Sequence, residues 1–254
     1  MALAPSAAEI LFAVGASDRV VAIPDFAADL PGAAGKVRIG GFTPDLERVV
    51  ALAPDLVVAS RDGTDRAAYE KLKALGVPVL ATEAHSLAGV LTDIRRVGDA
   101  IGEPAAAARL VASLSERIAG AERRAAGRKE RPRALVVIWP DPPVVAGTAT
   151  FVGDLLDRAR LVNVVPEKAG EWPRVSYETL AAWNPELVIR PTTAENDAAF
   201  ARAFAPDGPW RLVPAVAGGR VVAVPGALLE RPGPRLVDAL EHLAAIGDPP
   251  AVRR

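Results

Sequence analysis

The side chains best suited to chemistry are sparse in this 254-residue chain, and their spacing argues against most kinds of catalysis. There is no Cys, which excludes thiol nucleophiles, disulfides and thiolate metal sites while leaving the redox compartment open. His85 and His242 are the only imidazoles. Both lie in helix-like sequence and read as surface or capping residues, too few for a three-His or His-plus-carboxylate metal cage. Nucleophilic serine chemistry on an α/β sheet calls for G-x-S-x-G followed by an acid and a His, and the motif is absent. Neither G-x-G-x-x-G nor G-x-x-x-x-G-K-[ST] occurs, so Gly40-Gly41 and Gly218-Gly219 read as turns rather than phosphate cradles. Carboxylates are plentiful, but Glu47 and Glu178 fall in first turns of expected helices, where negative charge complements the helix dipole. No catalytic residue and no metal ligand follows from these patterns.

Thirty basic and thirty-one acidic residues give a net charge of -1. The Arg-rich stretch from Arg123 to Arg131 is interleaved with Glu, so no footprint for nucleic acid is present. Half the residues are hydrophobic and the mean hydropathy is +0.20, yet charges break every apolar run before about 18 positions, the length that suggests a membrane span. The chain reads as soluble and long enough to build a core without staples.

The elements that must position any site alternate. Arg19–Ile23, Leu56–Ala59, Val77–Ala81, Ala134–Trp139, Leu187–Arg190 and Arg220–Val224 read as buried strands, with helical periodicity between them. That pattern predicts an α/β architecture with largely parallel sheets. One segment breaks the alternation: from Pro104 to about Gly127 the sequence is Ala-rich, has Pro in its first turn and ends at Gly. It predicts a single helix roughly 36 Å long, about the length of a strut between two lobes.

An internal repeat flanks that strut. Asp45 to Val58 aligns without a gap to Ser176 to Ile189 at a constant offset of 131 residues, pairing Glu47 with Glu178 and Pro54 with Pro185. Each copy has a capping residue (Asp45, Ser176), a short helix, a Pro that ends it, then a strand. An aromatic precedes each cap, Phe42 in one copy and Trp172 in the other. In open α/β sheets ligands bind at such loops. Two lobes of similar construction follow, with Phe42 and Trp172 expected to face each other across a cleft.

The run Leu3 to Gly15, followed by Asp18-Arg19-Val20-Val21-Ala22, resembles the opening of helical-backbone periplasmic binding proteins for cobalamin, haem and ferric siderophores. Asp45 to Val58 is similar to that family's N-L-E-x-I-x-x-L-x-P-D-L-V-I signature, with Asp45 in place of the common Asn. The resemblance covers nearly the whole chain. It implies two Rossmann-like α/β lobes bridged by one backbone helix, here residues 1–102, 103–129 and 130–254, with the ligand held between them. It also implies that one Glu on each lobe docks onto Arg residues of the membrane permease, a role that carries over to Glu47 and Glu178.

Within the family the chain looks most like cobalamin-binding proteins. Glu171-Trp172-Pro173-Arg174-Val175-Ser176 is similar to their W-P-x-V-S segment, and Leu229 to Arg235 is similar to their F-E-R-x-S-P-R segment. Arg61-Asp62-Gly63 resembles the loop after the next strand, and Trp139-Pro140-Asp141-Pro142-Pro143 occupies a further cleft loop. The ligand-contacting residues this implies are Pro5, Ser6, Phe26, Phe42, Arg61, Trp139, Trp172, Arg174, Glu230 and Arg231. Phe42 is smaller than the expected Trp, Asp25-Phe26 matches its loop loosely, and Leu229 replaces a larger aromatic. Trp183 and Trp210 read as packing residues. A broad, largely neutral, amide-edged corrinoid suits aromatic walls with a few donors.

The reading is therefore a monomeric substrate-binding protein of an ABC importer, working with a permease and its ATPase outside the cytoplasm, with no cofactor beyond cobalamin as transported ligand. A ferric siderophore would draw on Arg61, Arg174 and Arg231. Haem is usually gripped in this family by Tyr or His, whereas Tyr69 and Tyr177 lie in expected helices. From another class, a cytosolic enzyme or chelatase-like relative with paired lobes stays open, as does a sensor domain of a larger receptor. The first residues lack the basic and apolar regions of an export signal, and Met1–Ala4 are too few for a full first strand. The importer reading thus expects a longer exported precursor, anchored or free in the periplasm.

Overall fold

The computed structural model describes residues 1–61, 64–194 and 196–246. The chain forms two compact units: Met1–Ala84 with Ala88–Ser115 and Arg231–Pro234, and His85–Leu87 with Glu116–Glu230 and the residues from Arg235. Each has its own apolar core.

In the first unit α1 (Pro5–Ala13) leads to β1 (Ala22–Ile23) and β2 (Val37–Arg38), which pair in parallel. Next come α2 (Leu46–Ala51), β3 (Val57–Ser60), α3 (Arg66–Ala74) and β4 (Val79–Thr82), with β3 parallel to β4. Met1–Leu3 lies between the two pairs. The Ala2 amide donates to Ala22 O (3.1 Å), the Leu3 amide to Val58 O (2.9 Å), and the Val58 amide to Met1 O (2.9 Å). The order across this layer is β2, β1, residues 1–3, β3, β4. Buried Leu3, Ala22, Ile39, Val49, Val57 and Leu72 form its core.

Then α4 (Leu87–Ala100) and α5 (Pro104–Ala126) follow. At 1.5 Å per residue the 23 residues of α5 run about 34 Å, and the helix carries the chain from the first unit into the second. In the second unit β5 (Arg133–Pro140) turns back on β6 (Pro143–Val145), then α6 (Phe151–Arg158), β7 (Val162–Asn163), α7 (Tyr177–Trp183) and β8 (Leu187–Thr192) follow. After α8 (Asp197–Ala203) and α9 (Pro214–Ala217) come β9 (Val221–Pro225) and α10 (Leu236–Ala244). The parallel order is β7, β5, β8, β9, with β6 antiparallel on β5. A layer built as β1, residues 1–3, β3, β4 thus recurs as β7, β5, β8, β9, so the repeat read from Asp45 and Ser176 extends to strand order. On α5, Arg117 bonds Asp238 and Glu241 of α10 (2.5 to 2.9 Å), holding the Glu241 carboxyl below its usual range. Among the described residues no helix is long and apolar enough to cross a membrane.

Some elements differ from expectation. The Arg19–Ile23 strand shortens to β1, because Ser17–Arg19 closes a 3-10 turn. The antiparallel β6 has no counterpart among the expected strands. The repeated helices end at Ala51 and Trp183, ahead of Pro54 and Pro185. They are stopped by Ala53 (φ 42°) and Asn184 (φ 45°), equivalent residues in left-handed conformation, with each Pro fixing the extended exit.

Candidate functional site

The sites grow from strand ends. In the first unit, chain leaving the carboxyl ends of parallel strands carries Ser6 after residues 1–3, Phe26 after β1, Phe42 after β2 and Arg61 after β3. That is the edge at which open α/β sheets bind ligands. Pro5 and Ser6 open α1; Pro5 is half-buried and Ser6 is 2% exposed. Phe26 and Phe42 are 59% and 57% exposed, unusual for large apolar rings. Phe26 Cε2 lies 3.1 Å from where a Cβ on Gly41 would stand, so its ring stands beside the turn that bears Phe42.

Both candidate ligand-binding arginines of this unit, Arg61 and Arg231, already have a partner. Arg61 Nε lies 2.8 Å from Glu83 Oε2 at the end of β4. Arg231 donates from Nη1 to both Asp29 oxygens (3.0 and 3.2 Å), with its side chain only 15% exposed. Asp62 and Gly63 lie outside the described residues.

In the second unit β6 organises the site. Its Val144 is opposite Trp139 of β5 and bridges Arg174 on its other side, with backbone bonds from Val145 to Pro173 O (3.1 Å) and from Val175 to Pro143 O (3.0 Å). Trp139, Val144 and Arg174 therefore stand side by side across a ribbon spaced about 4.8 Å per strand. Trp172 is two residues before Arg174, in the bend that leads into the bridge with Val144. Trp139 and Trp172 are each 41% exposed, and the Trp172 ring leans on Phe151 at 5.7 Å. Gly147 completes the ribbon: its amide donates to Glu171 O at 2.6 Å, and a Cβ there would lie 2.0 Å from Gly170 O.

Arg174 is exposed and makes no ion pair among the described residues. Glu230 is exposed on the chain leaving β9, its amide bonded to Gly226 O.

The turn after Trp139 is held from two sides. Trp139 Nε1 donates to Asp141 O (2.9 Å), and buried Trp210 donates to Pro140 O (2.8 Å). Tyr177 Oη donates to Asp141 Oδ1 at 2.8 Å. Burial first, then the hydrogen bond and charge of Asp141, push the Tyr177 phenol up to about 12.

Glu47 and Glu178 are both exposed in the first turns of α2 and α7. Asp45 accepts from the Arg48 amide (3.1 Å) and Ser176 from the Thr179 amide (3.2 Å), matching caps on the two copies. The Glu178 carboxyl is held below its usual range by its own backbone amide and by Ser176. Sequence reasoning missed Val144, Gly147, Asn184 and Tyr177. For β6 the available signal was a Pro-rich turn between two apolar runs, from Trp139 to Val145, which marks a hairpin.

What these loops offer is contact area and fixed hydrogen-bond donors, so the class defined is that of a binding protein rather than an enzyme. Residues 1–228 match the family described as Periplasmic binding protein, and the chain belongs to that family. It is 30% identical over 251 residues to an uncharacterized ABC transporter substrate-binding lipoprotein of Bacillus subtilis, covering 96% of this chain and 78% of that protein. It is also 30% identical over 249 residues to a cobalamin-binding protein of Halobacterium salinarum, covering 95% and 67%. The fold is similar to a periplasmic heme binding protein from Pseudomonas aeruginosa, with a TM-score of 0.82, 26% identity and coverage of 98% and 94%.

Proposed function

We propose that this chain is the substrate-binding subunit of an ABC importer, acting outside the cytoplasm, and that its ligand is a cobalamin-like corrinoid. Each unit supplies a contact surface: Phe26 and Phe42 on one, Trp139 and Trp172 on the other. The observation that carries the ligand class is charge compensation. Arg61 is paired with Glu83 and Arg231 with Asp29, so two of the three arginines expected to meet an anion are already neutralised. Exposed rings beside neutralised donors suit a broad, uncharged, amide-edged ligand. A phenol held protonated by Asp141 is a poor source of the tyrosinate that would ligate ferric haem. Arg174 favours an anionic ligand, which makes a ferric siderophore the second reading. Glu47 and Glu178, equivalent by the repeat, are the charges offered to the permease.

Calorimetric titration of the purified protein with cyanocobalamin, haemin and a ferric hydroxamate distinguishes these. Cyanocobalamin is expected to bind at least about tenfold more tightly than either anion, a difference of about 1.4 kcal/mol. Tighter binding of haemin or the siderophore would overturn the corrinoid reading.

A further inference from the structure

We propose that Tyr177 is a positioning residue: through Asp141 its hydroxyl fixes the indole of Trp139 in the orientation that meets the ligand. The inference rests on the reading of Trp139 as a ligand contact. Its basis is a chain of bonds within the second unit. Trp139 is 41% exposed at the end of β5, and its Nε1 is tied to the Asp141 carbonyl at 2.9 Å. A large exposed ring at a strand end loses rotamer freedom when it is held, and the ligand need not supply that ordering if the protein has done so. The Asp141 carbonyl holds the ring only if its own turn is fixed. Trp210, fully buried, fixes the residue before it through Pro140 O. Tyr177 fixes Asp141 itself through a 2.8 Å bond to the carboxylate, and the Tyr177 ring is seated edge-on against Trp210 at 6.0 Å.

The same residue opens α7 and immediately precedes Glu178, so the helix start that presents the docking carboxylate also anchors the ligand-facing turn. Nothing else about Tyr177 needs a hydroxyl: the cap of α7 is Ser176, and ring packing alone would be served by Phe. Its phenol is pushed up to about 12, as fits a group donating to a carboxylate, so the latch persists across neutral pH.

The test is a double-mutant cycle with Tyr177→Phe and Asp141→Ala, which keep the ring on Trp210 and the backbone carbonyl of residue 141 while removing the donor and the acceptor of the latch in turn. Two readouts are taken: cyanocobalamin affinity by calorimetry, and the fluorine NMR spectrum of protein labelled with 5-fluorotryptophan, the Trp139 resonance being assigned with Trp139→Phe. Each single variant is expected to shift or broaden the Trp139 resonance, leave that of Trp210 in place, and weaken binding about threefold to tenfold, as for the loss of one ordinary hydrogen bond at a partly exposed site. The double variant is expected to bind no worse than the weaker single one. An unmoved Trp139 resonance in Tyr177→Phe, or losses that add in the double variant, overturns the proposal. Failure of the unaltered protein to bind cyanocobalamin would sink the corrinoid reading instead, and the fluorine signal would still decide the latch.

Discussion

Replacing Gly147 with Ala strikes at the ribbon that presents Trp172. A Cβ at that position would lie 2.0 Å from Gly170 O and 3.0 Å from Glu171 O. A comfortable C···O contact is about 3.3 Å, so the two backbones must part by about 1.3 Å. Neither neighbour is the free end of a side chain, and the 2.6 Å bond from the Gly147 amide to Glu171 O opposes the separation. Overpacking of this kind costs about 1–3 kcal/mol. At about 2 kcal/mol the midpoint of thermal unfolding falls by about 4–8 °C for a chain of this size. Trp172 follows Glu171 directly, so the movement draws its ring off Phe151. Loss of one aromatic contact, about 1.4 kcal/mol, weakens cyanocobalamin binding about tenfold. Calorimetry of unfolding and of binding measures both. Gly120→Ala is the control: in the middle of α5, with only the end of Arg123 within 4 Å, it is expected to stabilise by about 0.5–1 kcal/mol and leave affinity unchanged. Unaltered stability and affinity in Gly147→Ala would refute the ribbon as the support of Trp172. Lost stability with intact affinity would remove Trp172 from the ligand surface.

Reversing both Glu47 and Glu178 to Lys is expected to abolish uptake through the partner permease while cyanocobalamin affinity stays intact. Unchanged uptake would remove the docking role. Ala53→Asn is expected to raise stability in urea by about 0.5–1 kcal/mol by easing a left-handed Ala, and Asn184→Ala to lower it by a similar amount. In a spectrophotometric titration of the two tyrosines, one phenol is expected to ionise late, at about 12, and to vanish in Tyr177→Phe. Because the folded state raises this pKa above the ordinary value of about 10, its contribution to stability is complete below pH 10 and is lost as pH rises toward 12.

Much of the frame was legible because local signals agreed. Pro104 and Gly127 bracket α5, and Asp45 and Ser176 cap equivalent helices, each signal lying within a few residues of what it controls. Glu47 and Glu178 could be paired from spacing alone. The stops of those helices escaped the sequence because a left-handed Ala53 carries no compositional mark. The state of the arginines was hidden for a different reason: Arg231 meets Asp29 across 202 residues, and no periodicity reports such a pair. Tyr177 and Asp141, 36 residues apart, are joined by the fold in the same way. Trp139 and Trp172 were found as aromatics on loops, but the ribbon that links Trp139 to the segment after Trp172 depends on β6, whose three residues are too few to show alternation.

The most direct test of the central claim is a tryptophan fluorescence titration with cyanocobalamin, run on the unaltered protein, Trp139→Phe and Trp172→Phe. Saturable quenching at one equivalent is expected, diminished in each variant and with affinity lowered in both. No quenching at high micromolar cyanocobalamin, or quenching that neither substitution changes, would contradict the account.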